Sequence, residues 1–314
     1  MFDEVKDLIN TQVSNKRVCN VGVPFSKYQK VYISTNENIK HYLNLFDFSN
    51  KKRALSVLAS GDHIFNLINK DIIDIDSFDT NLLSLYYVLG LRRAMIVKYN
   101  YKEYLNIYSK ILNSSTSLDE ITTIINDLLP LMDKRYRDYW KEVNTYNYKL
   151  QKNNKNHINL FYILFINFNK IDDIIRNNNY LENEEEYNKL RNNILRANIT
   201  FKNINALYLG KEYSKNYDFI LLSNILDYFN RYYDYNFTYK DLLEYESTLL
   251  NILGENGIIF LNYIMKYKTL YFTRSNVTNS SNIKVNELEK EELYTVCSFK
   301  DKNVNDAILV LKKY

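Results

Sequence analysis

The stretch from Leu55 to Asp76 restricts the fold more than any other part of the chain. An apolar run, Leu55 to Ala59, leads into a turn of small and acidic residues, Ser60-Gly61-Asp62. A helical pattern follows, and a second apolar run, Ile72 to Ile75, ends on Asp76. This order predicts a strand, a helix and a second, parallel strand, because parallel neighbours are joined by a crossover that is usually helical.

The same stretch has the layout of a nucleotide site. A glycine lets the backbone approach a ligand at a strand end, the next helix presents its N-terminus, and an acid further on can accept hydrogen bonds from a ribose. The chain has only 6 glycines, so Gly61 at this turn is informative. An ordinary βαβ crossover with an acidic helix start explains the pattern equally well.

Composition excludes several classes of function. With 46% hydrophobic and 25% charged residues in 314, the chain is expected to be globular, as one domain with an insertion or two small domains. The net charge of +4 is spread among interleaved acids and bases, so we expect no nucleic-acid partner. Cys19 and Cys297 lie in dissimilar contexts, and the three histidines are scattered, so we expect no metal site.

We expect a cytoplasmic protein. The N-terminal residues lack the basic and apolar regions of a signal peptide. The most apolar long run, Ile158 to Phe168, is too short to span a bilayer. Peripheral contact with a membrane stays open, and no pattern indicates the oligomeric state.

The alternation of apolar runs predicts an α/β fold, a Rossmann-like doubly wound sheet with a helical insertion and a C-terminal antiparallel hairpin. One continuous helix is expected over Asn159–Ile175 in the insertion. The predicted parts are an N-terminal helical cap (1–50), the Rossmann-like domain (51–100 and 197–314, with the hairpin at 293–299 and 307–311) and the helical insertion on the acceptor side (101–196).

This order of elements resembles the S-adenosylmethionine-dependent methyltransferase fold, whose ligand lies across the carboxyl ends of the first strands. Three motifs resemble those of the BtaA-like family, S-adenosylmethionine:diacylglycerol 3-amino-3-carboxypropyl transferases of betaine-lipid synthesis. They are Val57-Leu58-Ala59-Ser60-Gly61-Asp62, Ile75-Asp76 followed by Asn81 and a Leu-rich helix, and Leu222-Ser223-Asn224-Ile225-Leu226-Asp227. The family often has Asn where this chain has His63.

The resemblance implies S-adenosylmethionine as cofactor and assigns roles around the first two strands. Ser60 and Gly61 would let the loop pass under the methionine part. Asp62 would bind the cofactor's amino group or else fix the turn. Asp76, expected at the end of the second strand, would accept both ribose hydroxyls, with an N-cap as the alternative.

Further roles fall after the third and fourth strands of the predicted sheet. Asn205 would meet the adenine amino group or cap its loop. Ser223 and Asn224 would hold the amino acid end of the cofactor, and Asp227 would orient or deprotonate the acceptor. Capping of the following turn by Ser223 and Asn224 is an equal alternative.

The function expected from these signatures is transfer of the 3-amino-3-carboxypropyl group to a small-molecule or lipid acceptor. Methyl transfer from the same cofactor is the nearest alternative, because the two reactions differ only in which carbon on sulfur faces the acceptor. A non-catalytic relative that binds a nucleotide or a partner protein is the alternative from another class.

Overall fold

A computed structural model describes residues 30–44, 46–113, 116–153, 164–166, 169–225, 229, 239–261, 284–287, 294–301 and 306–313. The described residues group into two compact units. The first takes those up to Lys40, Leu58–Asn69 and Asp79–Ala197, and the second takes His41–Val57, Lys70–Phe78 and those from Asn198 onward. The predicted domain boundaries stay a prediction.

The strands, in chain order, are β1 (Val31–Tyr32), β2 (Arg53–Val57), β3 (Asp74–Phe78), β4 (Phe165–Ile166), β5 (Asn198–Lys202), β6 (Tyr217–Leu221), β7 (Leu253–Leu261), β8 (Lys284–Glu287), β9 (Tyr294–Asp301) and β10 (Asp306–Lys313). The α-helices are α1 (Ile39–Leu43), α2 (Asp62–Asn69), α3 (Leu82–Leu85), α4 (Arg93–Lys98), α5 (Tyr101–Leu112), α6 (Leu118–Leu128), α7 (Lys134–Asn153), α8 (Ile171–Asn177), α9 (Glu184–Ile194), α10 (Leu209–Glu212) and α11 (Tyr239–Ile252). A π-helix spans Tyr86–Arg92, and 3₁₀ turns span Leu129–Leu131, Asn179–Leu181 and Ala206–Tyr208.

The second unit contains a parallel sheet in the order β5-β3-β2-β6-β7. Buried positions dominate β2, β3 and β6, as expected of strands covered on both faces. This confirms an α/β fold with a mostly parallel sheet, compatible with a Rossmann-like architecture. The C-terminal antiparallel hairpin stays a prediction.

Two expected boundaries are wrong. The second strand does not end at Asp76, because β3 runs from Asp74 to Phe78. The helix expected over Asn159–Ile175 is not continuous, since Phe165–Ile166 form β4, which pairs in parallel with β1, and helix α8 begins only at Ile171. Both errors arise because apolar periodicity marks burial more reliably than it marks the residue at which an element ends.

The first unit is built from α2 to α9 and the π-helix. The indole N–H of Trp140, in α7, donates to the Tyr86 carbonyl at 3.0 Å, and its ring stacks on Phe165. Tyr86 also stacks on Tyr139. Tyr139, Trp140 and Phe165, which lie in the predicted insertion, therefore pack in a shared aromatic core with Tyr86.

Among the described residues, none of the helices has the length and apolar character that crossing a membrane requires.

Candidate functional site

The turn between β2 and α2 is folded tightly within the first unit. Gly61 has φ +90° and Ala59 has φ 41°, and the Gly61 N–H donates to the Leu58 carbonyl at 2.7 Å. A Cβ on Gly61 would lie 2.6 Å from Cγ1 of Val88 in the π-helix. Backbone conformation and this close contact both require glycine. Packing against the π-helix therefore accounts for Gly61 without a ligand.

The Asp62 carboxylate, on the first residue of α2, is fully buried and accepts four hydrogen bonds. Its Oδ2 accepts from the Thr35 N–H at 2.6 Å and from the Ser60 hydroxyl at 2.8 Å. Its Oδ1 accepts from Arg92 Nη1 at 2.8 Å and from the Tyr180 hydroxyl at 2.7 Å. Two donors on each oxygen fill a carboxylate's capacity. Of the two roles expected for Asp62, these contacts favour fixing the turn, and a ligand could bind this carboxylate only by displacing a donor.

Arg92, the last residue of the π-helix, balances the charge of Asp62. Its guanidinium is fully buried, donates to the Ser60 carbonyl at 2.7 Å, and lies 4.8 Å from the ring centroid of Phe65 and 4.9 Å from that of Tyr108. Burial alone would lower the pKa of Arg92, but the negative charge of Asp62 keeps that pKa well above its usual value. The guanidinium therefore stays protonated inside the unit.

A second buried contact joins the start of α2 to the segment before it. Nε2 of His63 lies 3.0 Å from Oε2 of Glu37, and the two side chains are only 2% and 3% exposed. The other ring nitrogen of His63, Nδ1, is buried and makes no hydrogen bond in the part of the chain that the structure describes. His63 is therefore held from one side only.

The acid that follows β3 directly is Asp79. Its Oδ2 accepts from the Ala59 N–H at 3.0 Å, and its Oδ1 accepts from the Asn81 N–H at 2.8 Å. Burial raises the pKa of Asp79, and hydrogen bonds from Asn81, Ser84, Ala59 and Thr80 offset this only in part. Asp79 and Ala59 are both partly exposed. The loops after two adjacent parallel strands thus meet at the Asp79 carboxylate.

Asp76 lies in the middle of β3, in the second unit, with both oxygens engaged. Oδ1 accepts from the Thr200 hydroxyl, and Oδ2 accepts from Lys215 Nζ at 2.8 Å and from the Tyr217 hydroxyl at 2.7 Å. Burial alone would raise the pKa of Asp76, but the bonds from Lys215, Thr200 and Tyr217 hold it below the usual value of 3.8. Only 3% of the residue is exposed, so the N-cap alternative and a free diol-binding carboxylate both disagree with this placement.

The remaining predicted site residues lie after β5 and β6 in the second unit. The Asn205 Oδ1 accepts from the Leu207 N–H at 3.0 Å, which is the capping role, and its contact with adenine stays a prediction. Ser223 has φ +59°, and its hydroxyl donates to Asn224 Oδ1 at 3.3 Å. Asp227 lies outside the described residues. The cofactor roles of Ser223 and Asn224 stay predictions.

Asp79 and Arg92 are the site residues that the sequence reasoning missed. Asp79 carried a signal, since it directly precedes the Leu-rich helix and stands two residues before Asn81, whose side chain caps that helix. Arg92 carried another, because it falls on the apolar stripe formed by Leu85, Leu89 and Ile96. A charge on such a stripe indicates a buried partner.

Among the described residues, no group of three or more His, Cys, Asp or Glu side chains is placed to hold a metal ion. In comparisons with known proteins, no family model matches the chain, and no curated protein matches it.

Proposed function

We propose that the chain is a cytoplasmic S-adenosylmethionine-dependent transferase that moves the 3-amino-3-carboxypropyl group to a small-molecule or lipid acceptor, with methyl transfer as the nearest alternative. The observation that carries the proposal is the contact between the loops after β2 and β3, from the Ala59 N–H to the Asp79 carboxylate at 3.0 Å. In doubly wound sheets, nucleotides bind where such loops follow the carboxyl ends of the strands.

We assign ribose binding to Asp79 in place of Asp76. The two hydroxyls of a ribose are neighbouring donors, which suit the two oxygens of one carboxylate. Asp79 follows its strand directly and is partly exposed. Asp76, by contrast, lies inside its strand and is only 3% exposed.

The chain's own residues need to do little chemistry in this reaction. When bound, the sulfonium supplies an electrophilic carbon, so catalysis consists mainly of alignment. Asp79 would orient the nucleoside, and its bond to the Ala59 backbone would keep the carboxylate in one rotamer. The roles of Ser223, Asn224 and Asp227 stay predictions from the sequence.

Calorimetric titration with S-adenosylmethionine tests the assignment. We expect Asp79→Asn to weaken binding by about tenfold or more, the order for losing a hydrogen bond to a charged group. Asp76→Asn is the matched control, because it makes the same chemical change three residues away, and it should bind like wild type. Absence of binding to the wild-type chain, or equal losses in both variants, would contradict the proposal.

The nucleoside product identifies the group that is transferred. Incubation with S-adenosylmethionine and a metabolite extract should release methylthioadenosine, detected by its mass. S-adenosylhomocysteine would instead indicate methyl transfer.

One observation favours a second candidate function, a non-catalytic protein that binds a nucleoside. The Asp62 carboxylate accepts four hydrogen bonds from its own unit, so the place expected for the amino acid end of the cofactor is already filled. Such a protein would bind methylthioadenosine and S-adenosylmethionine equally and would release no nucleoside product.

A further inference from the structure

Residues Ile33–Glu37 form a buried segment, here called the strap, that lies against the start of α2. The Thr35 N–H donates to Asp62 Oδ2 at 2.6 Å, and the Glu37 carboxylate lies 3.0 Å from Nε2 of His63. Four of the five strap residues are buried, and Asn36 alone is exposed. The strap therefore covers the first two residues of α2.

Side-chain donors also hold the strap at two backbone carbonyls and at the Ser34 hydroxyl. The Ile33 carbonyl accepts from the Tyr87 hydroxyl at 2.7 Å and from the Tyr108 hydroxyl at 2.8 Å. The Asn169 amide donates to Ser34 Oγ at 2.9 Å and to the Thr35 carbonyl at 2.8 Å. Residues 33–37 belong to no helix or strand, so these side-chain bonds fix the strap in place.

The strap presents the same chemical groups as the amino acid end of S-adenosylmethionine. That end carries an ammonium group, which would donate to Asp62, and a carboxylate, which a helix N-terminus attracts. The strap supplies an N–H donor to Asp62 through Thr35 and a carboxylate beside the second residue of α2 through Glu37.

Two buried polar atoms near the strap have no hydrogen-bond partner among the described residues. His63 Nδ1 and Arg92 Nε are buried and make no hydrogen bond within the described part of the chain. Both belong to side chains that contact the strap or Asp62. Unsatisfied buried groups cost free energy, and a second state or a bound ligand that completes their bonding is one explanation for them.

We propose that the strap is an intramolecular competitor of the cofactor's amino acid end. It must leave Asp62 and His63 before S-adenosylmethionine binds, whereas a nucleoside that lacks this end does not displace it. This inference rests on the proposed function, since it assumes that the nucleoside binds at Asp79.

Two ligands and three variants test the proposal by calorimetry on the full chain. Methylthioadenosine lacks the aminocarboxypropyl group and is the matched ligand for S-adenosylmethionine. Glu37→Gln weakens the contact with His63, and Asn169→Ala removes the two amide bonds to the strap. Glu120→Gln is the control, because it makes the same change in an exposed ion pair with Lys110.

Glu37→Gln should bind S-adenosylmethionine about tenfold more tightly than wild type, the order for releasing one buried hydrogen bond to a charged group. Asn169→Ala should also bind it about tenfold more tightly, the order for releasing two neutral hydrogen bonds. Their affinity for methylthioadenosine and the behaviour of Glu120→Gln should stay as in wild type. In wild type, hydrogen exchange at the Thr35 amide should become faster with S-adenosylmethionine and stay unchanged with methylthioadenosine.

The outcomes separate the two proposals. Unchanged or weaker binding of S-adenosylmethionine by the strap variants, or an equal gain for both ligands, overturns the strap and leaves the proposed function standing. No binding of either ligand by any form overturns the proposed function, and the strap proposal with it. Thermal unfolding of each variant establishes that it is folded at the temperature of the titration.

Discussion

Replacing Gly61 with alanine tests whether this glycine serves packing within its own unit. The new Cβ would lie 2.6 Å from Val88 Cγ1, and the residue would keep φ +90°. The left-handed backbone costs roughly 1–2 kcal/mol for a residue with a Cβ, and overpacking adds roughly 1–3 kcal/mol. We therefore expect the free energy of unfolding to fall by about 2–5 kcal/mol in Gly61→Ala.

A double-mutant cycle separates these two costs. Val88→Ala removes the two Val88 methyl groups that the new Cβ would meet at 2.6 and 3.0 Å, and it leaves the contact with Phe65 Cε2 at 3.0 Å. By itself it should cost about 2 kcal/mol, from two buried methyl groups and the cavity they leave. In the Val88→Ala background, Gly61→Ala should still carry the backbone cost and the Phe65 contact, so the coupling energy should equal the Val88 share of the overpacking cost of roughly 1–3 kcal/mol.

Urea unfolding of the four proteins, followed by circular dichroism, measures this coupling. If the two substitutions add to within about 0.5 kcal/mol, contact with Val88 does not explain the glycine, and close approach of a ligand becomes the better account of the turn.

Two further predictions concern buried charges. Asp76→Asn should lower stability at neutral pH, and its difference from wild type should shrink in acid. The folded-state pKa of Asp76 lies below 3.8, so its contribution is complete above that value and is lost as the pH falls through the lower pKa; equal differences at pH 7 and pH 2 would refute this. Arg92→Ala leaves the Asp62 charge buried without its partner and should cost about 3–5 kcal/mol in urea unfolding, whereas Arg176→Ala, in an exposed ion pair, should change stability by less than about 1 kcal/mol.

Much of the α/β sheet could be predicted because its signals are local. A strand that is buried on both faces has a continuous run of apolar residues, and β6 shows this from Phe219 to Leu221. The turn at Gly61 was also visible, since a positive φ favours glycine. The end of β3 was misplaced because Asp76 looks like a strand terminus in sequence, although in the sheet its carboxylate is satisfied by residues far along the chain.

The candidate site was less predictable than the fold, for a related reason. The motif Ser60-Gly61-Asp62 predicted a tight turn ending at a helix start, which is present. It did not indicate whether Asp62 faces a ligand or the protein. Thr35 and Tyr180, which donate to Asp62, stand 27 and 118 residues away from it, and no spacing rule connects such positions.

The sequence by itself determined the alternation of strands and helices, the parallel order implied by βαβ crossovers and the conformation of the Gly61 turn, because each depends on residues within a few positions of one another. Only the tertiary structure decided what Asp62, Asp76 and Asp79 each do. What a carboxylate can do depends on its exposure and on the donors that surround it. Those donors come from distant segments that folding brings together, so three similar acids in one short stretch have three different surroundings.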